Sequence, residues 1–262
     1  MRADLYLFSK GYVESRQKAQ RFIKEGAVLL DGVPLTKPSE DVNENTEHLV
    51  IITAEEKYVG RGALKLEAAL ESFAIDPKGL TCADIGASTG GFTDCLLQKG
   101  AARVYAIDSG RDQLHSKVSS DERVVSIEGY NARYIKVEDI GEQVDLAVMD
   151  VSFISQTIII PPLSGLIKDG GMLVSLVKPQ FEAGRGALGK NGIVKSPKDR
   201  YGAVIKVLDG AELSGLYCNG FIKSPIKGGD GNEEYLLCFI KAEREGDSTA
   251  LRKMVKDVII KS

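Results

Sequence analysis

The chain has 262 residues, 43% of them hydrophobic and 27% charged, with 28 glycines and no low-complexity tract. Length and composition fit one full α/β domain plus a small extra one and exclude a disordered or fibrous chain. The net charge of −3 speaks against a uniformly basic nucleic-acid binder, but how charge is distributed matters more than its sum.

Residues 1–27 hold six cations (Arg2, Lys10, Arg16, Lys18, Arg21, Lys24) against three anions (Asp4, Glu14, Glu25), a net of +3; residues 28–58 carry a net of −5. Leu5, Leu7 and Phe8 begin an apolar helix that stops at Gly11. Ser15 caps a second helix whose Ala19, Phe22 and Ile23 share one face. That helix ends at Gly26 and leaves Arg16, Lys18, Arg21 and Lys24 for its other faces. A strand at 27–30, the turn Asp31-Gly32 and a return at 33–35 read as a hairpin, and 48–52 as a last strand. The pattern R-x-D-x-x-L, then S-R-x-x-A-x-x-x-I-x-x-G-x-V-x-x-D-G, resembles an S4 domain. The resemblance implies RNA binding through Arg2, Arg16, Lys18, Arg21 and Lys24, set against phosphates. The plainer alternative is a solvated basic helix.

A joint is expected near 53–59, giving parts 1–57 and 58–262. The second part alternates strands (80–85, 103–107, 123–127, 145–149, 171–177, 216–222, 235–240) with helices (62–73, 91–98, 111–118, 155–167, 199–212), and 247–260 reads as a closing outer helix. Such alternation predicts an α/β fold with a mostly parallel sheet covered on both faces.

Leu80–Ile85 leads into Gly86-Ala87-Ser88-Thr89-Gly90-Gly91-Phe92, a strand, a glycine turn and a helix start. Asp108 ends the next strand, where an acid can hold ribose hydroxyls. Asp84, ahead of the turn, does not suit a pyrophosphate and does suit a cationic cofactor. S-adenosylmethionine, with its ammonium and sulfonium, fits better than a nicotinamide nucleotide or a purely structural turn. The expected cofactor set is Asp84, Gly86, Ser88, Thr89, Gly90, Gly91, Phe92, Asp108, Asn131 and Asp150.

Asp150 and Lys178 each follow a buried apolar run at a strand's carboxyl end, where open α/β sheets bind ligands. Lys65 lies in R-G-A-L-K-L and Glu234 opens the last strand. Each charge alone fits a structural ion pair as well as a function; their joint placement is the signal. With D-I-G-A-S-T-G-G-F-T-D, M-D-V-S-F-I, V-K-P-Q-F-E and G-N-x-E-Y added, nearly the whole chain resembles the TlyA-type rRNA methyltransferases, related to FtsJ-like enzymes with a Lys-Asp-Lys-Glu tetrad. The resemblance implies a Rossmann-like methyltransferase domain behind a small α+β S4-like domain, and a tetrad of Lys65, Asp150, Lys178 and Glu234, with Glu233 adjacent to the last. It implies 2'-O-methylation of a cytidine in ribosomal RNA. The start of the chain, one residue before the S4 pattern, fits the members acting on the large subunit alone. Lys178 is the expected base, oriented by Asp150, with Lys65 beside it and positioned by Glu234.

The glycine-rich segment 183–200 reads as a mobile loop closing over RNA through Arg185 and Lys190, against a plain solvated loop; Lys223 and Lys227 extend that surface. Cys82, Cys95, Cys218 and Cys238 form no C-x-x-C pair, so no metal is expected and reduced cysteines in a cytoplasmic protein are. Some family members are called haemolysins, yet no signal-type or membrane-length apolar run supports secretion or lysis here. A non-catalytic ribosome-binding factor is the other alternative.

Overall fold

A computed structural model of the protein describes residues 1–53, 57–242 and 249–261. The chain forms two compact units, Met1–Lys57 and Tyr58–Ser262. Part of the joint expected at 53–59, and the first two residues of the helix expected at 247–260, lie outside the described residues.

The first unit contains α1 (Ala3–Ser9), α2 (Arg16–Lys24), β1 (Val28–Leu30), β2 (Val33–Pro34) and β3 (Val50–Ile52), with the antiparallel order β2-β1-β3. Ser15 caps α2 by accepting from the Lys18 amide at 3.2 Å. The Asp31-Gly32 turn has positive φ at both residues, 51° and 80°, as the tight hairpin turn matching strand twist requires. Tyr6 and Leu7 of α1 meet Ala19, Phe22 and Ile23 of α2 over Val28.

One buried charge ties the two helices together. Asp4 is wholly buried. Its carboxylate accepts from Arg2 Nε and Nη2 at 2.9 and 3.1 Å, from Arg16 Nη2 at 3.1 Å and from Gln20 Nε2 at 2.6 Å. The Arg2 hydrogen bonds lead in holding this carboxyl well below the usual carboxylate range.

The second unit runs α3 (Gly62–Ser72), β4 (Thr81–Ile85), α4 (Gly91–Gln98), β5 (Arg103–Asp108), α5 (Ser116–Ser119), β6 (Val124–Glu128), α6 (Val137–Ile140), β7 (Val144–Met149), α7 (Gln156–Leu166), β8 (Ile167–Val177), α8 (Pro179–Glu182), α9 (Pro197–Glu212), β9 (Leu216–Lys223), β10 (Tyr235–Lys241) and α10 (Thr249–Ile260). Its seven-stranded sheet has the order β6-β5-β4-β7-β8-β10-β9. β6, β5, β4, β7 and β8 are parallel, and β10 runs antiparallel between β8 and β9. Alternate residues serve opposite faces. Ala83, Ile85, Ile107 and Leu173 share a core with residues of α7, α9 and α10. Cys82, Val104, Leu146 and Val174 share the other with α3 and α4.

Two elements differ from the sequence expectation. The helix predicted over 111–118 is only the single turn α5. The Asp112 and Gln113 amides turn aside to Glu128 at 2.8 and 3.3 Å, and Asp112 has φ +55°, so side-chain acceptors outcompete a first helical turn. β8 begins at Ile167 rather than 171. The strand passes through Gly170-Gly171, where a Cβ on Gly171 would lie 2.9 Å from the Lys168 carbonyl oxygen and 3.0 Å from that of Asp145. Pairing with β7 breaks here, passing from Val144–Ile167 to Leu146–Met172, and Gly170 has φ +76°, so the glycines mark a bulge before the regular strand resumes at Met172.

The Asp4 cluster is testable. Asp4→Ala unties α1 from α2 and leaves Gln20 without its acceptor, at a cost of about 2–3 kcal/mol. Hydrogen exchange of the α1 and α2 amides is expected to speed accordingly, with the amides of β4 and β7 unchanged.

Candidate active site

The pairing of the strands fixes where the charged residues gather. Ile85 pairs with Met149, Met149 with Ser175, and Val177 with Tyr235. One step beyond each pair stand Gly86 after β4, Asp150 after β7, Lys178 after β8 and Glu234 before β10. All four lie on one edge of the sheet, the carboxyl edge of its parallel strands. The Asp150 amide donates to the Ile85 carbonyl at 2.9 Å, which holds this edge in register.

The four tetrad candidates form two ion pairs. Lys65, on the buried side of α3, donates to Glu234 Oε2 at 2.5 Å, with side chains 10% and 2% exposed. Lys178 Nζ lies 2.5 Å from Asp150 Oδ1 and donates to Ser152 Oγ at 2.9 Å. Neighbouring Glu233 turns the other way, to Lys223 at 2.9 Å and Arg200 at 3.3 Å. This divergence separates two adjacent glutamates that sequence alone leaves ambiguous.

Two adjoining cavities open at this edge. The larger, of about 540 Å³, is lined by Ser88, Asp108, Asn131 and Phe153 among others; the smaller, of about 210 Å³, by Arg61, Gly62, Thr89, Phe92 and Lys178 among others. Gly86, Ser88, Asp150 and Ser152 line both. Gly86 has φ +86°, and a Cβ there would meet the Asp150 carbonyl oxygen at 2.5 Å. Only glycine allows this turn. Gly90, with φ +89°, packs its Cα side against Leu114 and Val118 and shapes the start of α4 rather than lining either cavity. Gly91 lines the smaller cavity.

The carboxylates fit a polar, cationic ligand. Asp108 accepts from the Ser88 amide at 2.8 Å and the Gly110 amide at 2.7 Å, bracing both walls while keeping lone pairs for hydroxyls. Asn131 Oδ1 accepts from the amide and Nε of Arg133 at 3.2 and 3.1 Å, so its NH2 remains as a donor. Asp84 is fully buried; its Oδ2 accepts from Thr93 Oγ1 at 2.7 Å, and its Oδ1 has no partner among the described residues. Burial pushes this carboxyl up to about 7. Asp84 lines neither cavity, so it bears on a ligand there through its buried charge rather than by contact.

Phe153 was not singled out from the sequence. It is 91% exposed, has φ +64°, lines the larger cavity and tilts on Phe181 at 5.0 Å between centroids. A bulky residue in the left-handed region costs roughly 1–2 kcal/mol, and such strain gathers at functional sites. Its only sequence signal is an aromatic three positions after a strand-end aspartate.

The residues expected to bind RNA are distributed as follows. Arg2 and Arg16 brace Asp4 with half-exposed side chains. Lys18 pairs with Glu14 at 3.0 Å, Arg21 approaches Glu25 at 3.9 Å, and both lie against the Phe22 ring. Lys24 is exposed. Arg185 and Lys190 are exposed on two short 3-10 turns, Arg185–Ala187 and Lys190–Gly192. Arg200, counted among the cations of the 183–200 segment, points inward instead, to Tyr235 and Glu233.

Comparison with known proteins matches an FtsJ-like methyltransferase family over residues 58–241 and an S4 domain over residues 1–48. The chain is 44% identical to the 16S/23S rRNA (cytidine-2'-O)-methyltransferase TlyA of Mycobacterium tuberculosis over 90% of this chain and 88% of that protein. It is 34% identical to the 23S rRNA (cytidine-2'-O)-methyltransferase TlyA of Campylobacter jejuni over 92% of this chain and all of that one. A solved structure from Streptococcus thermophilus, whose description carries the word hemolysin, superposes with a TM-score of 0.77 at 39% identity, covering 100% of this chain and 97% of the other.

The Asp84 carboxyl gives a pH test of the cofactor site. The Asp84 carboxyl ionises as pH rises through about 7, and a buried negative charge next to the glycine turn favours a cationic ligand, so affinity falls as pH falls. Calorimetric titration of S-adenosylmethionine is expected to show weaker binding at pH 6 than at pH 8. Asp84→Asn binds more weakly and without that slope; a pH-independent wild type removes Asp84 from the site.

Proposed function

The chain is a member of the FtsJ-like methyltransferase family carrying an S4 domain ahead of its catalytic part, and from that membership we infer that it methylates a ribose 2'-hydroxyl in ribosomal RNA, using S-adenosylmethionine. Cytidine is the nucleotide, as the names of its relatives support. The observation that carries this reading is the arrangement of Lys65–Glu234 and Lys178–Asp150 as two ion pairs on one sheet edge. We place the S4 domain at 1–57 and the catalytic domain at 58–262, a division that the two compact units support.

Gly86, Ser88, Thr89, Gly91, Phe92, Asp108, Asn131 and Asp150 hold the cofactor, with Gly90 shaping the turn and Asp84 supplying buried negative charge. Bound there, S-adenosylmethionine supplies a methyl carbon made electrophilic by its sulfonium. Lys178 takes the proton of the 2'-hydroxyl. A lysine does this only from its neutral form, its ammonium proton having passed to bulk water before the 2'-hydroxyl docks. Asp150 fixes the direction of Lys178. Lys65, locked by Glu234, orients the 2'-oxygen. Phe153 offers its ring to the base of the target nucleotide, since every base has a face that stacks on an aromatic. Arg2, Arg16, Lys18, Arg21 and Lys24 in the S4 domain, with Arg185 and Lys190 near the catalytic edge, bind phosphates and position the RNA.

Methylation of a pyrimidine carbon would require a cysteine nucleophile, and burial pushes Cys82, Cys218 and Cys238 up to about 12, far from a thiolate at neutral pH. The large-subunit RNA is the favoured substrate. Both relatives are named for it, one for it alone and one for it together with the small-subunit RNA. Such a substrate places the enzyme in the cytoplasm.

Two variants test the reading, with ribosomal subunits lacking the modification as substrate. Lys178→Ala is expected to lower single-turnover transfer by about 10²–10⁴-fold with S-adenosylmethionine binding intact. Retained turnover removes Lys178 as the base, and a product other than a 2'-O-methyl nucleotide removes the function. Phe153→Gly relieves the left-handed strain, so the variant melts no lower than wild type while transfer to RNA falls about tenfold or more.

A further inference from the structure

The glycine-rich segment after α8 is fastened at its far end. Asn232 is buried, 1% exposed, and both the oxygen and the nitrogen of its amide are bonded. Oδ1 accepts from the Val194 amide at 3.0 Å, and Nδ2 donates to the Gly192 carbonyl at 3.1 Å. Arg200 reinforces this junction from α9, with Nη1 donating to the carbonyls of Val194 at 3.3 Å and Lys195 at 2.7 Å, and Nε to Tyr235 Oη at 3.2 Å. Val194 itself is buried. Against the expectation of a wholly mobile loop, residues 192–195 are joined to the turn that leads into β10.

That turn holds Glu234. The Gly228 amide donates to the Asn232 carbonyl at 3.0 Å, Gly231 closes the turn back on Gly228 at 2.9 Å, and the Ser224 amide donates to the Glu234 carbonyl at 2.9 Å. Gly228 lies flush against the Glu234 carboxylate: a Cβ there would fall 3.0 Å from Cδ and closer still to Oε1. The Glu234 carboxylate therefore sits between the Lys65 ammonium on one side and Gly228 on the other.

We propose that Asn232 is a positioning residue for methyl transfer, joining the 192–194 segment to the Gly228–Glu234 turn and so holding Glu234 against Lys65. The proposal rests on the role given above to Lys65 and Glu234. Asn232 touches neither cavity, so its effect reaches chemistry only through the carboxylate two residues on. Gly228 keeps the space that the carboxylate occupies. A side chain that lacks either half of the Asn232 amide leaves a buried backbone group of the segment unpaired, and the turn follows the segment.

The test is a double-mutant cycle on the full-length protein, read as single-turnover transfer to ribosomal subunits, with S-adenosylmethionine and RNA affinities measured alongside. Asn232→Ala is expected to slow transfer at least tenfold, with both affinities within about twofold of wild type. In a Glu234→Ala background the same change is expected to cost less than twofold, because the group it positions is gone. Gly228→Ala, whose backbone is not left-handed, provides a second route: its methyl displaces the carboxylate and is expected to reproduce the slowing with native melting behaviour. Equal losses in both backgrounds overturn the proposal, as does an unimpaired Gly228→Ala. If wild type transfers nothing, the proposed function itself fails, and that outcome is distinct from an additive cycle in an active enzyme.

Discussion

A lysine and a glutamate 169 residues apart in sequence share one nearly dry site, and the catalytic unit is arranged so that they can. Desolvating two charges costs several kcal/mol per ion, which mutual attraction only roughly returns. A pair of apolar side chains of like volume would hold α3 to β10 at least as well. The Lys65–Glu234 pair is therefore poor evidence for stability, which leaves room for the chemical role proposed for it. Its geometry also explains the antiparallel strand. Only a strand entering the sheet from the carboxyl edge can begin there with a glutamate, and β10 does so next to β8, whose own end carries Lys178.

Of the two ion pairs, Lys178–Asp150 lines the cavities, whereas Lys65 and Glu234 are buried and line neither. Asp108 and Asp150 line the larger cavity, with the buried Asp84 ahead of its glycine turn, and Lys178 and Arg61 line the smaller one. The acidic and the basic cavity share the walls Gly86, Ser88, Asp150 and Ser152. Glycines along this boundary are needed for space rather than flexibility, as the contact of Gly86 with the Asp150 carbonyl makes plain.

Much of this was readable in the sequence, for physical reasons that differ by element. The core strands announced themselves because buried parallel strands are continuous apolar runs, and their ends located Asp150 and Lys178. The Ser15 cap and the Asp31-Gly32 turn were legible because their chemistry is local. What was hidden depends on long-range pairing. Glu128, sixteen residues on from Asp112, draws off the amides that the 111–118 helix would have used. Glu233 and Glu234 are neighbours in sequence, and only the partners that each strand face supplies, Arg200 and Lys223 for one and Lys65 for the other, tell them apart. Phe153 was hidden because backbone strain leaves almost no trace in composition.

The basic cluster of the first unit shows why counting charges overstates free charge. Arg2 and Arg16 are bound to Asp4, and Lys18 and Arg21 have carboxylates within reach. Such pairing does not remove these residues from RNA. A guanidinium carries five donors in a fixed fork, and Asp4 takes two from Arg2 and one from Arg16. The remainder project from side chains that are half exposed. An arginine already held by a buried carboxylate has lost part of its rotamer freedom before any phosphate arrives, so ordering it on binding costs less than the roughly 0.5–1.5 kcal/mol of a free side chain. The buried aspartate that lowers the apparent charge of the surface thus also fixes the direction of the two guanidinium groups that stand half exposed there.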